Sequence, residues 1–327
     1  MIRLSTTQMY NSSMNGMLDS YGRLNKVNNQ MATGKRVLTP ADDPVAAAQT
    51  LNTKTRMAVV QQYNRNVDFA DKNLSLTESV LDQTEDSLIR LKEQAIQLGS
   101  DQWSDNQVKA SGIEVKELLS HLQGLVNTRN ESGEYIFGGS QAEEKAYDGN
   151  TFKGDAIERE AQVADDTFIK MLTSGARAFE NIDIADLTTH NPAEAVFTTG
   201  PENLAATPKE YSNNMLGVIQ YFVDATGNGA DGAPVNKEAI RSAIGNIDVV
   251  FEQVSQTRSQ IGARQNTLDA VKDNNLDFEA FAEKSLSELE DLDYADAVMR
   301  LETSMISYQA SMQVTSKVSG LSLFNYI

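Results

Sequence analysis

From Val45 to Leu98, and again from Ala263 to Ser319, the chain contains neither glycine nor proline. Glycine loosens the backbone and proline removes a hydrogen-bond donor, so these two residues usually punctuate helices. Helices in globular proteins average about 11–12 residues, and each of these runs is more than fifty residues long. A single helix over the first run would span roughly 80 Å, at about 1.5 Å per residue. The runs therefore predict a rod-like architecture of long helices.

Apolar spacing supports that reading. Leu74, Thr77, Leu81, Thr84, Leu88, Leu91, Ala95 and Leu98 follow one another in steps of three and four. So do Ile240, Ile244, Ile247, Phe251, Val254, Arg258, Ile261, Gln265 and Leu268. Such alternation places one side of a helix in a long seam with partner helices, as in a helix-bundle core. The chain ends carry a second kind of seam. Tyr10, Met14, Met17, Tyr21, Leu24, Asn28 and Met31 step by four and three near the N-terminus. Tyr294, Val298, Leu301, Met305, Tyr308, Met312 and Thr315 step identically near the C-terminus. Methionine is flexible and adapts to irregular surfaces. A seam this rich in Met fits packing against several different neighbours, or gap-filling in one fixed core.

Helix starts follow from capping chemistry. Asp43 before Pro44 reads as an N-cap and first helical residue, because the carboxylate accepts orphan backbone N–H groups and proline loses no needed donor there. Ser104 with Gln107 forms a capping-box signature. The helix it opens carries Val115, Leu118, Leu122 and Leu125 on one face and fades near Gly133, with Gly112 and Gly124 weakening the expectation. Between about Glu134 and Asn236 the pattern changes. Tyr135-Ile136-Phe137 before Gly138-Gly139, and Tyr147-Asp148-Gly149-Asn150, read as strand and turn signals. Pro192, Pro201, Pro208 and Pro234 fall in the same stretch, which predicts a separate mixed or β-rich domain inserted between two sets of helices.

Charge and composition exclude several functions. The formal net charge is -18, which disfavours nucleic acid and anionic membrane surfaces, since both recruit cations. The charge is uneven. Met1 to Arg65 holds eight basic and three acidic residues, whereas Glu283 to Ile327 holds three basic and seven acidic. The two ends could attract each other or the ends of neighbouring copies, or simply be solvated helix faces. Cysteine is absent, so disulfides and thiolate chemistry are unavailable. The opening Met1-Ile2-Arg3-Leu4-Ser5-Thr6-Thr7 lacks the apolar core of a secretory signal, and no apolar run approaches the roughly 20 residues that span a bilayer.

Few residues are placed for chemistry. The two histidines, His121 and His190, stand far apart without metal-ligand spacing. Gly227-Asn228-Gly229-Ala230-Asp231-Gly232 lacks the lysine of a phosphate loop and reads as a flexible surface turn. Asp42-Asp43 is explained by capping, and Asp291-Leu292-Asp293 is expected on the solvated face of a helix. No catalytic, cofactor or metal site is read from the sequence, and no enzymatic activity is expected.

The residues do carry a family resemblance. Gln30-Met31-Ala32-Thr33-Gly34-Lys35-Arg36-Val37, followed by Pro40-Ala41-Asp42-Asp43-Pro44, resembles the N-terminal signature of the bacterial flagellin and hook-associated family. The Pro after Asp-Asp, and the opening Arg3-Leu4-Ser5-Thr6, look like the hook–filament junction branch rather than filament flagellins. Asn130 to Gly139 resembles the loop that enters the family's central domain. Arg258-Ser259-Gln260-Ile261-Gly262-Ala263-Arg264-Gln265-Asn266 and Leu292-Asp293-Tyr294-Ala295-Asp296-Ala297 are similar to the family's C-terminal motifs. The resemblance covers roughly residues 1–140 and 240–327.

This resemblance implies a mainly α, elongated bundle of long coiled-coil-like helices formed by both terminal regions, around a central mixed or β-rich domain. Its parts would be a mobile N-terminal assembly helix (1–43), the two halves of a helical rod (44–133 and 237–282), an outward-facing domain (134–236) and a C-terminal assembly helix (283–327). It implies a secreted structural component of the extracellular flagellum, exported by a type III route. Implied partners are hook-associated protein 1, flagellin, further copies of the chain in the flagellar axis and a cytoplasmic export chaperone. Tyr10, Met14, Met17, Tyr21, Leu24, Met31, Tyr294, Val298, Leu301, Met305, Tyr308 and Met312 are the expected assembly seam. Rival readings are flagellin itself and a cytoplasmic coiled-coil adaptor.

Overall fold

The computed structural model describes residues 6–182, 211–229 and 234–324. Arg3-Leu4-Ser5, His190, Pro192, Pro201, Pro208 and Ala230-Asp231-Gly232 lie outside the described residues. Seven helices are described: α1 (Thr6–Thr33), α2 (Pro44–Leu98), α3 (Asp105–Leu125), α4 (Gly175–Ala178), α5 (Met215–Ala225), α6 (Lys237–Glu290) and α7 (Tyr294–Phe324). Two antiparallel hairpins complete the picture. The first pairs β1 (Tyr147–Asp148) with β2 (Thr151–Phe152), and the second pairs β3 (Glu160–Ala164) with β4 (Thr167–Lys170). The chain divides into two compact units, one of residues 1–61 and 276–327, the other of residues 62–275.

Helix α2 begins and ends where the sequence places its signals. The Asp43 carboxylate accepts from the Ala46 N–H at 3.0 Å, Pro44 is the first helical residue, and Gly99 follows the last. Helix α3 opens at Ser104, whose N–H donates to the Gln107 side chain at 2.9 Å. It stops at Leu125 rather than near Gly133. Gly112 is required inside it. A Cβ at this position would run into Thr226 and Asn228, the residues that end α5 and pack against α3.

The larger unit has a continuous apolar core reaching from Val67 to Leu268. Every residue of the predicted α2 stripe, from Leu74 to Leu98, is buried. Burying a leucine stabilises by about 1.5–3 kcal/mol, so this stripe is a principal support of the unit. Its polar members are satisfied locally. Thr77 and Thr84 donate to the carbonyls of Asn73 and Val80, one turn back, at 2.7 and 2.8 Å. Along α6, Ile240, Ile247, Val254, Ile261 and Leu268 are buried, and the polar seam members find partners on α2. Arg258 pairs with Asp82 at 2.7 Å and Glu85 at 2.8 Å, and Gln265 donates to Ser75 at 3.1 Å. With Lys272 on Asp68 and Lys92 on Asp248, these pairs fix an antiparallel register for α2 and α6.

The central stretch differs from the sequence expectation in two respects. Tyr135-Ile136-Phe137 is buried but is no strand, since only Tyr135 forms an isolated bridge, to Arg129. Asn130 organises this loop instead, its side-chain oxygen accepting from the Ser132 and Glu134 N–H groups at 3.0 Å each. The described central residues also share the core of the flanking helices instead of forming one of their own. Phe137, Tyr147, Phe179 and the nearly all-buried α5 belong to the same cluster as Leu74 to Leu98. Ring pairs Phe137–Phe179 and Tyr147–Phe152 knit it together. The Tyr147-Asp148-Gly149-Asn150 turn does form a hairpin, with Gly149 at a φ of +60°.

Candidate assembly surface

Helices α1 and α7 pack against each other antiparallel within the smaller unit. The Ser20 and Ser311 hydroxyls lie 3.3 Å apart. Thr315 donates to the Ser13 carbonyl at 3.4 Å, and the Tyr21 and Tyr308 rings meet with centroids 5.6 Å apart. The inward stripe on α7 runs through Ala297, Leu301, Ser304, Tyr308, Ser311, Thr315 and Val318. Its small members, facing Ser13 and Ser20 across the pair, let the two backbones approach closely.

The predicted seam is divided by this pairing. Met14, Met17, Leu24, Met31, Leu301 and Tyr308 are partly covered. Tyr10, Tyr21, Tyr294, Val298, Met305 and Met312 remain exposed. They share the surface with Met9, Leu18, Met299, Ile306 and Val314. The smaller unit buries few apolar side chains in compensation, namely Val27, Ala46, Ala282, Ala297 and Val318.

The connection between α1 and α2 is clasped to the connection between α6 and α7. This corrects the expectation that Asp291-Leu292-Asp293 is helical, because the glycine- and proline-free run breaks there. The Leu292 N–H donates to the Gly34 carbonyl at 2.9 Å, and the Arg36 N–H to the Glu290 carbonyl at 2.6 Å. Asp293 then caps α7, accepting from the Ala295 N–H at 2.9 Å. Gly34 turns the chain with a φ of +69°, a conformation that side chains disfavour, and Tyr294 closes over it. The Glu290 carboxylate receives Lys35 at 2.9 Å and Lys54 at 2.5 Å. Gln30, buried, donates to the Arg36 carbonyl at 2.6 Å.

These ion pairs predict a pH dependence. Hydrogen bonding from Lys54, then from Lys35, holds the Glu290 carboxyl below its ordinary 4.5. Hydrogen bonds from Lys26 and the Thr39 N–H hold Asp42 down to about 2, against an ordinary 3.8. A carboxylate held low favours the bonded arrangement, Glu290 across the clasp and Asp42 within the α1–α2 connection, above its ordinary value and stops doing so as pH falls through its lowered one. The clasp is therefore expected to stay closed at neutral pH and loosen from about pH 4 downward. Amide chemical shifts of Arg36 and Leu292 across an acid titration will read this directly. Shifts that stay unchanged down to pH 2 would show that the backbone bonds hold the clasp without the charges.

Comparison with known proteins gives this surface its context. The profile of the bacterial flagellin N-terminal helical region matches residues 4–142, and that of the bacterial flagellin C-terminal helical region matches residues 244–327. The chain belongs to the bacterial flagellin family. It is 26% identical to flagellar hook-associated protein 3 of Escherichia coli (strain K12), over 99% of both chains. It is 21% identical to the flagellar filament 41 kDa core protein of Borreliella burgdorferi, over 98% of this chain and 97% of that one. In fold it is similar to a putative flagellar hook-associated protein from Vibrio parahaemolyticus. That match has a TM-score of 0.62 at 18% identity and covers 76% of this chain and all of the other.

The two matched regions take in α1 to α3 and most of α6 with all of α7. The sequence did not single out Lys35, Lys54 and Glu290 as a group. Thr33-Gly34 after a helical pattern is a C-cap signal that marks the turn, but no local pattern reveals that Glu290 closes it. Among the described residues no helix is long and apolar enough to cross a membrane.

Proposed function

We propose that this chain is a non-enzymatic junction piece of the flagellum, joining the hook to the flagellin filament. The observation that carries the reading is the end-to-end similarity to proteins named flagellar hook-associated protein 3, from Escherichia coli and Salmonella typhimurium. The filament core protein of comparable coverage is less similar, at 21%. Asp42-Asp43-Pro44, which resembles the junction branch and not the filament flagellins, points the same way.

The mechanism is coupled folding and assembly. Ordering one residue costs roughly 1–2 kcal/mol of backbone entropy. An isolated α1/α7 pair that buries chiefly Val27, Ala297 and Val318 offsets little of that. Covering Tyr10, Tyr21, Tyr294, Val298, Met305 and Met312 with neighbouring copies supplies the missing burial. The ends thus order on incorporation, which leaves them pliable for export before it. Residues 134–236 face outward in this arrangement, and residues 44–133 and 237–282 form the rod. Hook-associated protein 1 lies on one side and flagellin on the other. A cytoplasmic chaperone shields the C-terminal segment before the chain leaves the cell.

Deletion of the gene tests the reading. The expected cells carry hooks without filaments and release flagellin monomers into the medium. Bare hooks with no flagellin outside would identify the filament subunit instead, and intact filaments would exclude both roles.

A further inference from the structure

The smaller unit contains a cleft of about 620 Å³ between α1, the connection from Arg36 to Asp43, and the middle of α7. Four cations border it: Arg23, Lys26, Arg36 and Arg300. Asp42 and Asp43 answer two of them, Lys26 at 2.6 Å and Arg36 at 3.2 Å. Arg300 is paired with Asp296 on its own helix. Arg23 donates to the Ser20 hydroxyl at 3.0 Å, and among the described residues no carboxylate stands within ion-pair distance of it. Val37 and Met299 give the lining an apolar part, beside the polar Gln30, Thr303, Ser304 and Ser307. On a chain of net charge -18, a cleft bordered by four cations against two carboxylates is an unusual feature.

The same unit presents the complementary shape on α6. Phe281 is 70% exposed, the most exposed large apolar side chain among the described residues. Asp277 and Glu288 flank it four and seven residues away on the same helical face, with the exposed Lys284 between Phe281 and Glu288. Both carboxylates are exposed, and neither has an ion-pair partner among the described residues. We propose that the cleft accepts this Asp277–Phe281–Glu288 face from a second copy of the chain. Phe281 seats on Val37 and Met299, and Asp277, one turn of about 5.4 Å along the helix, meets Arg23 and Arg300. This occupant satisfies both the open cation and the open aromatic, which an anion alone would not do.

Cleft and knob are different patches, so the contact is heterologous. It runs head to tail and generates a ring or an open helix instead of a closed dimer. That is the symmetry an axial component needs. The cleft's α7 wall includes the exposed Met299, so a copy seated there lies beside the exposed α7 face. The inference deepens the assembly role proposed above and rests on it.

A photoreactive benzoyl-phenylalanine at Val37 tests the contact in flagella sheared from cells expressing the full chain. The expected product is a covalent dimer of the chain whose adduct maps within residues 276–290. Charge reversal gives a second readout. Arg23→Glu and Asp277→Arg should each lower incorporation about tenfold or more, and the double variant should restore it. An adduct to another protein or another segment, or single reversals that incorporate normally, overturns the docking. The unsubstituted chain in the same preparation keeps the two questions apart. Its presence in flagella alongside a failed cross-link rejects the cleft contact alone, whereas its absence rejects the flagellar reading and the docking with it.

Discussion

Met305→Asp is expected to exclude the chain from flagella while leaving its fold intact. Met305 lies on the outward half of the α7 seam at 45% exposure, so a carboxylate there stays hydrated in the free chain. Once a neighbouring copy covers the position, the same carboxylate loses its water without a partner, at a cost of several kcal/mol. Incorporation should therefore fall below detection in blots of isolated flagella, with an unchanged far-UV circular dichroism spectrum of the purified chain. Leu301→Asp makes the informative contrast. Leu301 is half-buried on the inward stripe, so that substitution should also loosen α1 from α7. Normal incorporation of Met305→Asp would move the assembly surface elsewhere.

The second large effect concerns stability. Leu88→Ala should lower the stability of the larger unit by about 2–5 kcal/mol, the usual range for emptying a packed leucine site. Leu88 is fully buried in the α2 stripe. Its neighbour Ile89 is 47% exposed, and Ile89→Ala should stay within about 0.5 kcal/mol of the parent. Urea unfolding of the two variants separates them cleanly. Equal losses would mean that the stripe is not the seam holding α2 in place.

Those two adjacent residues show what kind of information a linear sequence carries. Periodicity distinguishes Leu88 from Ile89 because the phase of a helix is a local property, set by 3.6 residues per turn. Capping chemistry, equally local, placed the Asp43-Pro44 start of α2, and periodicity marked Ile240 to Leu268 as a seam along α6. The motifs that carry the family likeness fall on these helices and their connections.

Partnership was another matter. The terminal seams read as two equivalent stripes, yet the structure leaves Tyr10 and Tyr21 of the first exposed and Tyr294, Val298, Met305 and Met312 of the second. The reason lies in residues that an apolar scan passes over. Ser13 and Ser20 on α1, with Ala297, Ser304 and Ser311 on α7, are small enough to set the close inward contact. They rotate the paired face away from Tyr10, Met305 and Met312. Likewise, Tyr135-Ile136-Phe137 has strand composition, but it is consumed by a loop whose hydrogen bonds run to Asn130 and Thr128.

By itself, then, the sequence determined the long helices, the starts of α2 and α3, the buried stripes of α2 and α6 and the family, because each depends on spacing within one segment or on a short motif. Only the tertiary structure decided where the Ala263–Ser319 run breaks. Nothing at Asp291-Leu292-Asp293 forbids a helix. The break exists because Gly34, Arg36, Lys35 and Lys54 arrive from more than two hundred residues away to bond Leu292 and Glu290. Their hydrogen bonds and charges replace those the helix would have made.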